Sequence, residues 1–198
     1  MSTKSGEHPS LRSPLNAISL GRLKLATLIA AFAVAVIAAP GRADGLIVYG
    51  DKWAFAQAEP KGWHGDTEAA RRYHVNIVFF PEDPSSRAAD VTIRVRVNGK
   101  TDEDIAGDLA ADMDEYRGKF PKVTFTELAA SHPRYQVVSK LMSVPGEFFE
   151  YAVYLNPGKE CPYVLSVAMS KAKVAASAEE LAAFRKVLAS LQFMRKAP

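Results

Sequence analysis

Hydrophobic and polar side chains alternate strictly along Val91–Asn98. Val91, Ile93, Val95 and Val97 take one parity; Thr92, Arg94, Arg96 and Asn98 take the other. Strand side chains point to opposite faces with period two, so this stretch predicts a strand with one face in a core and one in water. Asn98-Gly99 is expected to end it in a turn, since both residues tolerate positive φ. Thr101 then stands as an N-cap, with Asp102, Glu103 and Asp104 in a first turn where free amides favour negative charge. Ile105, Leu109, Met113 and Tyr116 follow at helical spacing and predict an amphipathic helix that stops near Gly118.

The same reading extends along the chain. Leu46–Tyr49 and Trp53–Phe55 form an expected hairpin through Gly50-Asp51. Residues 58–63 are a Pro/Gly loop that carries Trp63, and Asp66 is placed to cap a short helix over residues 67–72. Tyr73–Phe80 predicts a strand with Tyr73, Val75, Ile77 and Phe79 on one face, followed by a loop over Pro81–Ser86. Four further strands are expected at Val123–Leu128, Tyr135–Ser143, Glu147–Leu155 and Pro162–Ser170. Short turns such as Pro145-Gly146 and Asn156-Pro157-Gly158 separate them, which implies antiparallel neighbours. Ser177 and Glu180 make a capping box for a second helix, with Leu181, Phe184, Leu188 and Leu191 on one face. Phe193 and Met194 close the domain. This order predicts an α+β fold, a mostly antiparallel sheet with amphipathic helices packed on it.

The first 43 residues carry a different pattern. A basic stretch precedes an uninterrupted apolar run of 15 residues, Leu25–Ala39, then Pro40 and the small residues Gly41 and Ala43. That is the anatomy of a secretory signal peptide, with cleavage expected after Ala43 and a single domain over 44–198. The run is short for a spanning helix, so a membrane role is expected only through a leader retained uncleaved. The leader also changes the charge. The whole chain is formally +3, but the leader holds five of its 25 basic residues and one of its 22 acidic ones. Residues 44–198 therefore keep 20 basic and 21 acidic residues, and no basic patch argues for nucleic acid. One cysteine, Cys161, excludes an internal disulfide and reads as a small buried hydrophobe at a strand start.

Recognisable catalytic chemistry is absent from the pattern. His64, His74 and His132 have no ligand spacing, and no nucleophile elbow, phosphate loop or dinucleotide fingerprint occurs. Neither a metal nor a cofactor is expected. Seven acids fall between Asp102 and Glu115, but a helical apolar stripe interrupts them, so they read as a solvated helix face and not as a calcium loop. Trp63, Arg94 and Arg96 are the surface candidates for ligand binding, because Trp and Arg anchor interfaces. The competing reading makes Trp63 a plug at the sheet edge and the arginines the wet face of a strand.

The Trp53/Phe55 strand pair, the Pro60-Lys61-Gly62-Trp63 loop, paired strands, a long helix, an antiparallel meander and a final amphipathic helix resemble the PsbP-like family. This family includes the photosystem II extrinsic subunit and the yeast Ran-release factor. The resemblance would span residues 44–194 and implies an α/β/α sandwich that binds or assembles without catalysing. It carries over Pro60, Gly62 and Trp63 as structural residues, and no ligand set. The expectation is an exported, periplasmic or secreted, non-catalytic binding or assembly module of a bacterial envelope, with an envelope protein or small ligand as partner. The alternatives are a periplasmic hydrolase built from scattered residues, and a membrane-tethered structural protein that keeps its leader.

Overall fold

Alternation produces strands wherever it is strictest. A computed structural model describes residues 45–82, 90–101 and 105–195, all within one compact unit. The expected leader, the acidic first turn at Asp102–Asp104 and most of the 81–86 loop lie outside the described residues. Among these described residues, ten strands and two α-helices follow in order. They are β1 (Gly45–Tyr49), β2 (Trp53–Ala58), β3 (Trp63–Asp66), β4 (Ile77–Pro81), β5 (Val91–Gly99), α1 (Ile105–Lys119), β6 (Thr124–Glu127), β7 (Gln136–Val144), β8 (Phe148–Asn156), β9 (Tyr163–Ala172), α2 (Ala178–Ser190) and β10 (Gln192–Arg195). Seven strands form one antiparallel sheet in the order β3-β4-β5-β9-β8-β7-β6, and β1-β2-β10 form a smaller one. The α+β expectation therefore holds. Among the described residues no helix is long and apolar enough to cross a membrane.

Parity along the large sheet assigns its two faces. Ile77, Ile93, Val95, Val153, Leu165, Val167 and Met169 share one face with the small sheet's Val48 and Phe55, with Phe184, Val187 and Leu188 of α2, and with Leu191 just after that helix. The opposite parity places Met142, Ala152, Tyr154 and Val164 beneath Ile105 and Leu109 of α1. The helices thus lie on opposite faces. Full burial of each large side chain contributes about 1.5–3 kcal/mol, much of it offset by conformational entropy. Ser177 and Glu180 close the expected capping box on α2. Gly146 takes φ 76° between β7 and β8, the left-handed position that the Pro-Gly turn requires.

Several local expectations change. Tyr73 belongs to a 3-10 turn, Ala69–Tyr73, and not to a strand; His74 closes that turn in the left-handed region at φ 52°. The Asp66 carboxylate accepts from Glu68 N at 2.8 Å and Ala69 N at 2.7 Å, so it caps that turn in place of an α-helix. Asn98 and Gly99 stay within β5, where pairing with Val164 and Tyr163 outweighs their turn tendency. Trp63 opens β3 opposite Pro81, its ring inside the core. Phe193 and Met194 lie in a strand paired to β2.

Candidate functional site

The outward face of the large sheet carries its own rows of side chains. The register aligns Thr92, Ser170, Glu150 and Met142 in one row and Arg96, Ser166, Tyr154 and Val138 in another, with Arg94, Ala168, Ala152 and Lys140 between them. Met142, Ala152 and Tyr154 lie under α1. Where the cover ends, small residues at 152, 166 and 168 leave a floor. The result is a cleft of about 360 Å³ between α1 and strands β5, β9 and β8. Arg94 and Arg96 line it from β5, and Asp112, Glu115, Tyr116, Lys119 and Phe120 from α1 and the residue after it, with Tyr73 also contributing.

Glu150 is the cleft's buried carboxylate, 8% exposed. Arg94 Nη2 donates to Glu150 Oε2 at 2.7 Å and to Ser170 Oγ at 2.6 Å, and Ser170 Oγ donates to the same carboxylate oxygen at 2.6 Å. Arg94 Nε is buried without a hydrogen-bond partner. Tyr116 faces this carboxylate; burial, then the charge of Glu150, push its hydroxyl well above the ordinary tyrosine range. A buried carboxylate is tolerated only with such donors around it.

Asp112 forms the second centre. The Tyr154 hydroxyl donates to Asp112 Oδ2. Burial raises the Asp112 carboxyl above its ordinary value, Tyr154 partly counters that, and the nearby charges of Glu115 and Glu150 add to the rise. Burial and Asp112 together keep the Tyr154 hydroxyl protonated far above its usual range. At the rim Lys119 pairs with Glu115, and both are well exposed, so the pair contributes little to stability. Asp108, also on α1, turns inward and accepts from the backbone N–H and hydroxyl of Thr101. Asp108 and Asp112 thus leave the solvated face expected of the acidic stretch.

The three sequence candidates separate. Trp63 is only 5% exposed and packs in the core, so it is not a surface anchor; the edge strand β3 turns it inward. Arg94, its own side chain 24% exposed, is ion-paired with Glu150, while Arg96 is exposed on the cleft wall. Cys161 is half-buried in the loop before β9 and not a core residue. His64 lies near Glu59 at the surface. His132 binds backbone: its Nε2 meets Leu191 O at 3.1 Å, and its Nδ1 accepts from Arg134 N and Tyr135 N. Burial lowers its pKa, in keeping with Nδ1 as an acceptor. None of these histidines lines the cleft, and no cluster of potential metal ligands occurs among the described residues.

The sequence reading did not single out Asp112, Tyr116, Glu150, Tyr154 or Ser170 as site residues; it put Tyr116 on the apolar stripe of α1 and Asp112 among its solvated acids. One signal was present. Glu150 is a lone acid within the apolar run of Phe148–Leu155, and an acid in a strand apolar on both sides needs a buried counter-charge. A scan against models of known protein families finds no match to this chain, and a search of curated proteins finds none either.

Proposed function

We propose that this protein is an exported, non-catalytic binding module of the cell envelope and that the cleft between α1 and β5, β8 and β9 is its ligand site. The observation that carries this reading is the Arg94–Glu150–Ser170 network. Apolar side chains would stabilise that face at least as well, because a buried ion pair seldom outcompetes well-packed hydrophobes. Holding charged and hydroxyl groups at the wall of an open cleft is costly for stability and useful for recognition. The export part of the reading rests on the leader and on a cut near Ala43.

The test compares the protein recovered from the envelope of its own host with an Ala168→Trp variant, whose indole would fill the cleft floor. Circular dichroism first establishes that the variant is folded. Native mass spectrometry and in-cell cross-linking then read what each carries. A bound species or cross-link present in wild type and lost in the variant supports the cleft as the binding site. Identical masses and cross-links for both proteins overturn it. N-terminal sequencing of the same material checks export: a start near Asp44 supports it, and a retained leader points to tethering.

A further inference from the structure

We propose that the cleft seats a small zwitterion of the amino-acid class, its carboxylate on Arg96, its ammonium on Asp112 and its side chain against Tyr73, Tyr116 and Phe120. The inference rests on the reading of the cleft as a ligand site and adds the chemistry of the occupant. The cleft's charged groups sort themselves by partner. Glu150 is taken by Arg94, and Glu115 by Lys119. Asp112 and Arg96 remain. Asp112 accepts the Tyr154 hydroxyl and has no cationic partner in direct contact among the described residues. Arg96 is exposed and acts on Asp112 and Glu115 only through space. One acid and one base thus line the same cleft, on α1 and β5, without closing on each other.

This arrangement discriminates among ligands. A simple anion that reached Arg96 would meet the fields of Asp112, Glu115 and Glu150. A simple amine at Asp112 would meet Arg96, Lys119 and Arg94. A divalent cation would need three or more acids or histidines grouped together, and the described residues offer no such group. A molecule with both charges satisfies both walls, and like-charge juxtaposition is what rejects the others. Burial, then the charges of Glu115 and Glu150, raise the Asp112 carboxyl, and the Tyr154 hydroxyl and the through-space charge of Arg96 only partly counter them. The volume, about 360 Å³, lies at the small end of the ~300–1,000 Å³ range of ligand pockets. Tyr116 stacks on Phe120 with ring centroids 6.1 Å apart and supplies an apolar wall for a side chain.

The test is a heteronuclear NMR titration of the protein with phenylalanine, with phenethylamine, which lacks the carboxylate, and with 3-phenylpropionate, which lacks the ammonium. The remaining standard amino acids follow as a panel. Phenylalanine or another amino acid is expected to move the amide resonances of Arg96, Asp112 and Ala168. The two single-charge analogues are expected to bind about tenfold more weakly or worse. Arg96→Ala should abolish the preference for phenylalanine over phenethylamine, and Asp112→Asn the preference over 3-phenylpropionate. Arg96 is exposed and Asp112→Asn preserves shape, so both variants are expected to stay folded. The proposal is overturned when no amino acid moves these resonances at millimolar concentration, when a single-charge analogue binds as well, or when Arg96→Ala leaves the preference intact. The ligand-site reading fails separately, when a library of neutral fragments also leaves the cleft resonances in place.

Discussion

Replacing Glu150 with leucine tests the network most directly. The change leaves the Arg94 guanidinium beside Ser170 with its ion-pair partner gone. Removing one partner of a buried ion pair costs about 3–5 kcal/mol. Arg94 keeps a side-chain exposure of 24%, so water recovers part of that loss, and a cost of about 3 kcal/mol is expected. For a domain of this size, that lowers Tm by about 6–12 °C. Arg94→Met alone leaves a carboxylate 8% exposed with no cation and should cost at least as much. The double variant removes both charges and is expected within about 1 kcal/mol of wild type. Urea unfolding followed by far-UV circular dichroism yields the four free energies of this double-mutant cycle. Simple addition of the two single losses, or a loss below about 1 kcal/mol for Glu150→Leu, would refute the reasoning. Either result would mean that water or another group already satisfies Arg94.

Four further outcomes follow from particular contacts. Asp112 holds its proton in the folded protein over a pH window in which the unfolded chain has released it, because its folded pKa is raised. Stability should therefore fall as pH rises through that window, and Asp112→Asn should flatten the slope and raise the urea midpoint at neutral pH. Ser177→Ala removes half of the α2 capping box and should cost about 1 kcal/mol, read from the same unfolding curves. Gly65→Ala would place a Cβ 2.6 Å from Leu46 Cδ1 and 2.9 Å from Phe79 Cε1 in a packed core, at a cost of about 1–3 kcal/mol by denaturant titration. Leu109→Asp and Phe184→Asp bury a charge on opposite faces of the sheet and should each abolish the cooperative thermal transition.

The elements were legible because their cause is local. Val91–Val97 alternates, and β5 follows; Ser177 and Glu180 stand three apart, and α2 begins between them. Tyr73 misled because it continues the alternation of Val75 and Ile77, while the chain before it turns through a 3-10 helix closed by a left-handed His74. Trp63 left two readings open, surface anchor or plug at the sheet edge; the pairing of the edge strand β3 with β4 turns its ring inward, as the second had it. The cleft was illegible for a different reason. Arg94, Glu150 and Ser170 come from β5, β8 and β9, and no single strand shows that the three meet. Their convergence depends on the strand order, which places β9 between β5 and β8.

The location of the cleft follows from how much one helix can cover. Strands lie about 4.8 Å apart, so seven span about 29 Å, whereas a helix with its side chains is about 10–12 Å wide. A single helix therefore shelters only part of that face. Ile105 and Leu109 of α1 cover Met142, Ala152, Tyr154 and Val164, and the 3-10 turn packs on β4. Between these covers the outward side chains of β5 and β9 include Arg94, Arg96, Ser166 and Ser170, polar because neither cover reaches them fully, with the small Ala168 as floor between them. The covered and uncovered halves of the face meet at Glu150 and Tyr154, each buried and each bonded to a partner at the cleft wall. Extending the apolar seam there would need a second helix on that face, and the other described helix, α2, packs on the opposite one. The polar cleft is thus the consequence of placing one helix on a sheet too wide for it. The proposed zwitterion, with its charges on Arg96 and Asp112, would complete the cover without adding to the chain.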